Sequence, residues 1–250
     1  MATYRTATLA GIFTNTVFGF ILAYVMLAVF RERPTIGGFD AVDAVTFTFV
    51  GQGLYAMTVG NFGEVELADR IGSGDVAVDL SRPYDFQAWW TAVGLGRAFF
   101  HAAARGIAPV VIGAMVFGLR MPTSAATWAA FAVTVVLAGA VAVSWGFLLQ
   151  LCAFWILDVR GPNQIGWILA QFLSGSFLPV VLFPDALERV VRLLPFVTMI
   201  QLPIEVFLGK HEGAGLVKVL AIQVLWLGAL MLAGRAVLAL ATRKVVIQGG

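Results

Sequence analysis

The sequence predicts an all-α, polytopic membrane protein, and three observations carry this prediction. Of the 250 residues, 60% are hydrophobic and 12% are charged, whereas a typical soluble domain holds about 25% charged residues. The apolar residues fall in six long runs, each near the roughly 20 residues that a membrane-crossing helix needs. The alternating segments of about ten residues that build a membrane β-barrel do not occur. Because helices satisfy the backbone within lipid, residues 1–250 are predicted to form one transmembrane domain.

The six apolar runs define the expected spans in chain order. The first run is longer than the apolar core of a signal peptide, which has about 7–15 residues, and no small-residue cleavage site follows it. The fourth run has thirty residues, so at about 1.5 Å per residue it exceeds the roughly 30 Å hydrocarbon core and should tilt or protrude. The expected spans cover residues 9–30, 42–62, 100–119, 125–154, 164–183 and 216–240.

Six spans place both termini on the same side of the membrane, and loop charge indicates which side this is. With the N-terminus inside, nine Lys and Arg residues fall on the inner side and seven on the outer side. Basic residues favour the cytoplasmic side, and the Arg243–Lys244 pair follows the last span. Both termini are therefore expected in the cytoplasm.

The expected inner loop, residues 63–98, contains an island of charge. Residues 62–87 hold six acids and two arginines, a formal charge of −4 (two positive minus six negative). An anionic inner leaflet repels such a segment, so it should stand away from lipid or meet a basic partner surface. A solvated loop is the alternative. Residues 72–77 also fit a dinucleotide-binding GxGxxA pattern, but they follow a membrane helix rather than a strand, which favours a turn.

Residues 184–208 form neither a span nor a simple loop. From Leu187, apolar residues recur at i, i+3, i+4 and i+7 with charged residues opposite, which predicts a short amphipathic helix between two prolines. A second short segment, residues 196–208, is interrupted by Pro203. Neither half can cross a bilayer alone, so the two predict a helical hairpin that lies in the outer interface, or dips inward and returns. The residues that define this outer hairpin are Pro184, Glu188, Arg192 and Pro195.

Small residues recur every four positions in two expected spans, a spacing that lets helix backbones approach closely in lipid. These stripes predict contacts between helices or between subunits, and the alternative is chance in a chain with 27 glycines. Asn15 and Gln171 are amides within spans, where they either hydrogen-bond across helices or line a transport path. The stripe residues are Gly11, Asn15 and Gly19 in the first span and Gly166, Ala170 and Ser174 in the fifth.

The sequence lacks the motifs that several kinds of chemical activity require. Without a GxxxxGK[ST] loop, the chain is not expected to hydrolyse ATP itself. The net charge of +2 is too small to indicate nucleic-acid binding, and a lone Cys152 excludes an internal disulfide or a cysteine metal cluster. No acid or base lies deep in an expected span, although ion-driven carriers usually have one. We therefore expect no catalytic, cofactor or metal residues, and an energy source outside this chain.

Two stretches carry patterns typical of one transporter family. RIGSGDVAVDLSRP follows the second expected span, and FLSGSFLPVVLFPDALERVVRLLPF covers the fifth span and the outer hairpin. They resemble the inner-loop pattern and the span-five and outer-hairpin signature of the permease subunit of a type-2 ABC exporter. QLPIEVFLGK and the terminal RKVVIQGG resemble one branch of the family, so the likeness covers nearly the whole chain. The matching residues are Ile71, Gly74, Leu80, Arg82 and Pro83 in the first stretch and Gly175, Pro179, Phe183, Pro184, Leu194, Pro195 and Phe196 in the second.

This resemblance implies that two permease subunits, alike or related, pair around a path for an unidentified exported small molecule or lipid. Spans one and five would form much of the contact between them, in the plasma membrane of a prokaryote. Separate ABC ATPase subunits would bind ATP and Mg²⁺, and the inner loop would supply a coupling helix that rests on the ATPase and ends at two glycines. The expected coupling residues are Glu64, Glu66, Asp69, Arg70, Ile71, Gly72 and Gly74.

Two other functions stay open. A secondary carrier or channel would not use ATP, but the missing intramembrane charges and the absence of inverted halves count against it. A membrane scaffold without transport would need neither feature. In the exporter, the outer hairpin would serve as part of an outer gate.

Overall fold

The computed structural model describes residues 2–59, 65–156 and 158–248. In these residues the chain is built from helices, and no β-strand occurs among them. The predicted all-α class is therefore confirmed. The α-helices are α1 (Ala2–Glu32), α2 (Ala41–Met57), α3 (Glu66–Ser73), α4 (Val76–Ser81), α5 (Phe86–His101), α6 (Ile107–Phe117), α7 (Ala125–Leu151), α8 (Arg160–Leu173), α9 (Asp185–Val191), α10 (Gln201–Phe207) and α11 (Ala214–Gln248).

Four helices in the described part of the chain are long and apolar enough to cross a membrane. They are α1, the continuous helix formed by α5 and α6, α7, and α11; the α9–α10 pair, bent by 74°, is a fifth candidate if it crosses as one broken span. α2 has 17 residues and α8 has 14, so both are shorter than the roughly 20 residues of a full crossing. Six spans are therefore not confirmed, and residues 60–62, at the expected end of the second span, lie outside the described residues.

The helix predicted as the third span begins earlier than expected. It is predicted over residues 100–119, after a loop over 63–98, but α5 already begins at Phe86. A π-helical turn, Ala102–Gly106, joins α5 to α6, so a single helix of 32 residues runs from 86 to 117. The loop between α2 and this helix is correspondingly shorter and contains α3 and α4.

Asp85 determines where α5 begins. Its side chain accepts a 2.7 Å hydrogen bond from the N–H of Ala88, which satisfies one of the free donors at the helix N-terminus. The third span is predicted from its apolar run, and the polar residues Gln87 and Arg97 keep that run from extending back to residue 86. Gln87 is nevertheless buried, and its side-chain amide donates a 2.9 Å hydrogen bond to the carbonyl oxygen of Met231 in α11. Hydropathy alone therefore places the helix start too late.

Helix α2 lies at the centre of the bundle, where α1, α5–α6 and α10 pack against it. Phe47 and Phe49 are fully buried, and an apolar helix covered by protein on most sides need not face lipid. At the π-helical turn, a Cβ atom on Gly106 would lie 2.6 Å from the carbonyl oxygen of Gly53 in α2. The two backbones can meet there only because Gly106 has no side chain.

The short helices lie at opposite ends of the bundle. α3 packs against the 3₁₀ turn Cys152–Phe154 that follows α7, and we call this the inner end. Lys210, which follows α10, contacts Asp43 in the first turn of α2, so α9 and α10 lie at the other end, which we call the outer end.

The outer hairpin lies only partly at the surface. α9 exposes Val190, whereas the 3₁₀ turn Pro195–Thr198 and α10 are buried within the protein. The predicted interruption at Pro203 is wrong: the chain breaks before Gln201, and Pro203 occupies the first turn of α10, where its missing N–H leaves no helix bond unmade. The second half of the hairpin thus packs into the core, where protein covers the irregular backbone.

Candidate functional site

The two-helix unit formed by α3 and α4 is mounted on the inner end of the bundle. Leu67 of α3 is fully buried among Val76, Phe86, Phe147 and Leu151, which come from α4, α5 and α7. The N–H of Leu67 also donates a 3.0 Å hydrogen bond to the side-chain oxygen of Gln150 in α7. This bond satisfies one of the free donors at the N-terminus of α3, so the unit is held by both apolar packing and a directed polar contact.

An ion pair between a partly exposed arginine and a buried carboxylate joins the two short helices to each other. Arg70 in α3 donates two parallel hydrogen bonds to Asp79 in α4, with Nε–Oδ2 and Nη2–Oδ1 distances of 2.6 and 2.9 Å. The Asp79 side chain is only 5% exposed. The hydrogen bond to Asp79 raises the pKa of Arg70, which remains charged. This fork-shaped pair fixes the angle between α3 and α4, so Arg70, an expected coupling residue, holds the unit together from within.

A further ion pair ties the unit to a long helix, and another joins two long helices next to it. Glu66 in α3 pairs with Arg97 in α5, and Asp85 before α5 pairs with Arg235 in α11 at 2.9 Å. The N–H of Ala88 and then the guanidinium of Arg235 hold the pKa of Asp85 below its ordinary value. A displacement of α3 would therefore be transmitted to α5, because each short helix is bound to its neighbours by charge as well as by packing.

The unit presents an exposed acidic face. Asp69 in α3 and Asp75 in the turn between the helices are exposed, as is the apolar Val78 in α4. Ile71 is half-buried against the Leu67 cluster, so this expected coupling residue belongs to the underside of the unit. Asp75 and Val78 are not among the predicted coupling residues. Both residues are positioned by α4, and a helix of six residues is too short for the sequence to show a helical pattern.

Two glycines, Gly72 and Gly74, are predicted to end α3, and only one of them does so. Gly74 adopts a φ of +85°, the left-handed conformation that favours glycine, and it caps the helix as predicted. Gly72 lies in the last turn of α3 instead of ending it. The remaining expected coupling residue, Glu64, lies outside the described residues.

The small-residue stripe of α1 faces neighbours in the same chain. A Cβ atom on Gly11 would lie 2.9 Å from Cδ of Arg105, and one on Gly19 would lie 2.9 Å from Cε1 of Phe49 in α2. Gly19 is buried within the chain. Gly19 therefore packs α1 on α2, and the subunit contact predicted for Gly11, Asn15 and Gly19 stays a prediction.

The stripe of α8 is also internal. A side chain on Gly166 would collide with Leu149 of α7, and Ala170 and Ser174 have no exposed surface. The carbonyl oxygen of Ser174 accepts a 3.1 Å hydrogen bond from the N–H of Gln201, which links α8 to α10. These three residues therefore pack α8 on α7 and on the hairpin, and their predicted contact with a second subunit stays a prediction.

Asn15 and Gln171, the two amides predicted in spans, line one cavity. The cavity has a volume of about 280 Å³ and lies between α1, α2 and α8. Apolar and aromatic residues alternate with hydrogen-bonding groups on its wall, a composition typical of ligand pockets. Gln52 and Tyr55 add polar groups that hydropathy could not associate with this site. The other lining residues are Thr14, Phe18, Leu22, Trp167, Ser176 and Phe177.

An ion cluster closes the outer end of the bundle. The Asp43 carboxylate is only 1% exposed and pairs with Arg120, after α6, and with Lys210 at 2.6 Å. Asp40 forms a capping box with Asp43 and accepts a 2.8 Å hydrogen bond from Arg120. Burial would raise the pKa of Asp40, but the N–H of Asp43 and the guanidinium of Arg120 outweigh it and lower this pKa. The loops after α6 and α10 are thus joined to the start of α2.

A second buried carboxylate holds the outer hairpin. Glu205 in α10 is 3% exposed and lies 2.9 Å from Nη2 of Arg192 and 2.7 Å from Nε2 of His211. The side-chain amide of Gln201 donates a further 2.9 Å hydrogen bond to it. Arg192 also pairs with Glu188 at 2.7 Å. Asp43 and Glu205 are thus buried carboxylates whose cationic partners lie elsewhere in the sequence. Neither lies deep in an expected span, because Asp43 is at the start of the second span and Glu205 belongs to the outer hairpin.

The predicted hairpin residues have different surroundings. Pro184 is exposed and immediately precedes α9, whereas Pro195 is buried at the start of the 3₁₀ turn. Glu188 and Arg192 form the i, i+4 pair that leads from α9 to the buried Glu205. The hairpin is therefore held to α10 by Arg192.

Comparison with known proteins gives one family. A protein-family model described as "ABC-2 family transporter protein" matches residues 13–249. No curated protein and no solved structure matches the chain significantly.

Proposed function

Because the chain belongs to the ABC-2 family of transporter membrane proteins, we propose that it is the permease subunit of an ATP-driven exporter. It pairs with a second permease, identical or related, and couples to separate ABC ATPase subunits that bind ATP and Mg²⁺. The complex lies in the plasma membrane of a prokaryote, with both termini and the inner end in the cytoplasm. The cargo is a small molecule or a lipid.

The observation that carries this proposal is the rigid mounting of the α3–α4 unit. Its underside packs on α5, α7 and α11 through the Leu67 cluster, and the Glu66–Arg97 pair ties α3 to α5. The Asp85–Arg235 pair in turn joins the start of α5 to α11. The same unit exposes Asp69, Asp75 and Val78. Exposed acidic groups and an exposed apolar side chain on one small unit suit a basic partner surface with a small apolar pocket. A force applied to this face would reach three long helices, as coupling to an ATPase requires.

The cavity between α1, α2 and α8 supports transport rather than a scaffold role. Its amide, hydroxyl and aromatic lining suits an amphiphilic cargo with hydrogen-bonding groups. Because Gly19 and the α8 stripe pack within the chain, the proposed contact with a second permease also needs exposed apolar surface. The apolar face of α1 that exposes Leu9, Phe13 and Ile21 is one such surface.

The proposal is tested by reconstituting the chain with a cognate ABC ATPase in liposomes. We expect the ATPase to co-purify with the chain and to hydrolyse ATP faster in its presence. The double variant Asp69→Lys, Asp75→Lys should weaken ATPase binding about tenfold, because it places two positive charges against a basic surface. Asp185→Lys is the matched control, since Asp185 is equally exposed but lies in α9 at the outer end.

Two results would contradict the proposal. Unchanged ATPase binding and stimulation in the double variant would remove the docking role of the α3–α4 face. Transport that proceeds without any ATPase and is driven by an ion gradient would favour the secondary carrier instead.

A further inference from the structure

The cavity between α1, α2 and α8 contains two amide side chains that are buried and that form no hydrogen bond within the fold. Gln52 in α2 is 7% exposed and Gln171 in α8 is 8% exposed, and both line the cavity. Among the described residues, neither side chain has a hydrogen-bond partner. Buried polar groups in native proteins are nearly always hydrogen-bonded, so an amide pair of this kind is usually satisfied by something bound.

The amide atoms of both residues keep accessible surface. Buried nitrogen and oxygen atoms with neither a partner nor accessible surface occur at other amides of the described residues, for example at Gln87 and Gln223. The side-chain atoms of Gln52 and Gln171 are not among these atoms, and they have no partner, so each has surface that a ligand can contact. Both residues line the same cavity, which is where a bound group reaches them.

The wall of this cavity is uncharged. The described lining residues include amides, hydroxyls and aromatic rings, but none of them is an acid, a lysine, an arginine or a histidine. Arg105, which packs against Gly11 one turn before Asn15, does not line the cavity. The transfer of an ion from water into such a site without a counter-ion is costly, so the cavity selects an uncharged group.

The two amides also specify the hydrogen-bonding character of the bound group. A primary amide has two N–H donors and an oxygen that accepts, so the bound group must supply both acceptors and donors. Ethers and esters only accept hydrogen bonds, whereas a hydroxyl group both donates and accepts them. Phe18, Tyr55 and Trp167 add aromatic ring surface to the wall, which suits a flat apolar face. A sugar ring combines these features, since its hydroxyl groups surround a face of C–H groups.

We propose that the cavity binds a neutral, sugar-like ring carried by the cargo. Its volume of about 280 Å³ is near the lower limit of roughly 300 Å³ for ligand pockets, so it accommodates a single ring rather than a whole amphiphile. Phe18 and Phe177 line it and are 48% and 46% exposed, so it opens at the protein surface, where an attached alkyl chain enters the lipid. That the bound molecule is cargo rests on the proposed function, whereas the binding itself does not.

The experiment uses the purified full-length chain in lipid nanodiscs, without any ATPase. Hexyl glucoside with a diazirine in its alkyl chain is photo-crosslinked to the protein, and mass spectrometry identifies the labelled peptides. We expect labelling at the mouth of the cavity, near Phe18 and Phe177. Unlabelled hexyl glucoside should suppress this labelling, whereas hexyl sulfate, hexyltrimethylammonium and hexyl methyl ether at the same concentration should not. In a second arm, suppression by free glucose would show that the ring alone suffices, and its absence would identify the alkyl glycoside as the bound form.

Two variants connect the binding to the amides. Gln52→Leu and Gln171→Leu roughly keep the size of the side chain and remove its donors and its acceptor. Each should weaken suppression by hexyl glucoside about fivefold, which corresponds to the loss of one hydrogen bond. Neither should lower the Tm of the purified chain, because no partner among the described residues is lost. Gln164→Leu is the matched control, since Gln164 also lies in α8 but is exposed and does not line the cavity.

Three outcomes would overturn the proposal. The first is that the diazirine probe labels no peptide near Phe18 or Phe177, or that unlabelled hexyl glucoside does not suppress the labelling. The second is that a charged compound or hexyl methyl ether suppresses labelling as well as hexyl glucoside does. The third is that Gln52→Leu and Gln171→Leu weaken suppression no more than Gln164→Leu. Because no ATPase is present, each of these results would leave the proposed permease function untouched.

Discussion

At the scale of single residues, Arg192 shows how burial determines the contribution of an ion pair to stability. Its guanidinium contacts Glu188 at 2.7 Å and Glu205 at 2.9 Å, so the two distances are similar. The side chain of Glu188 is 26% exposed and that of Glu205 is 4% exposed. Water replaces much of the lost interaction at Glu188 but cannot reach Glu205. The two carboxylates should therefore contribute unequally to stability.

We expect Glu205→Gln to destabilise the protein by about 3 kcal/mol, because it leaves the Arg192 charge without its buried counter-ion. Glu188→Gln is the matched control, and a pair that water can reach is worth about 0–1 kcal/mol. Thermal unfolding in detergent, followed by circular dichroism, measures both variants. Equal changes in Tm would show that burial does not distinguish the two pairs.

At the scale of secondary-structure elements, polar contacts decide where helices begin and how short helices are placed. Asp85 caps α5 fourteen residues before the predicted third span, at a position that hydropathy assigns to a loop (86 against 100). α3 has only eight residues, which is too short to be stable alone. It persists because Leu67 is buried and because Arg70 joins it to Asp79 in α4.

The cap at Asp85 predicts a dependence of stability on pH. The pKa of Asp85 is lowered in the folded protein, so its contribution is fully present above the unfolded value of about 3.9 and is lost as pH falls through the folded value. Asp85→Ala should lose about 1 kcal/mol near pH 7, whereas Asp85→Asn keeps a capping side chain and loses only the charge.

Urea unfolding of the wild type and Asp85→Asn at pH 7 and at pH 3 measures this dependence. The difference between the two proteins should shrink at pH 3. Asp158→Asn is the control, because its exposed carboxylate lies 4.0 Å from an exposed Arg160. A difference of the same size at both pH values would show that the Asp85 charge does not stabilise α5.

At the scale of the whole molecule, the inner and outer ends differ in what they hold together. The outer end is closed by Asp43 and Glu205, two buried carboxylates whose partners come from several loops. The inner end carries a projecting two-helix unit with an acidic face. At the outer end the charged residues pair with each other within the chain, whereas at the inner end acidic residues are exposed. This asymmetry agrees with a partner at the inner end.

Orientation in the membrane follows from this asymmetry and can be measured on intact cells. In a Cys152→Ala background, Thr35→Cys reports on the outer end and Ser73→Cys on the inner end, and both positions are exposed. A membrane-impermeant maleimide should label Thr35→Cys in intact cells and Ser73→Cys only after lysis. The reverse pattern would place the α3–α4 unit outside and exclude contact with a cytoplasmic ATPase.

Some of these features can be predicted from short stretches of contiguous sequence. The apolar runs predict an all-α membrane protein, because a bilayer requires long apolar helices whatever their partners are. Gly74 predicts the end of α3, because a left-handed cap favours glycine at that position. The order of the motifs around residues 70–83 and 172–196 indicates the transporter family, which the match over residues 13–249 confirms.

Only the tertiary structure decided which distant residues meet. It pairs Glu66 with Arg97, brings Asn15 and Gln171 to one cavity, and turns both small-residue stripes toward neighbours within the chain. Hydropathy and helical periodicity describe a residue's own segment and contain no information about the face that another segment covers. Burial of Glu205 among cations that arrive from separate segments is possible only after those segments have packed. The ion pairs of Glu66 and Glu205 therefore form only in the folded protein, and the sequence alone does not predict them.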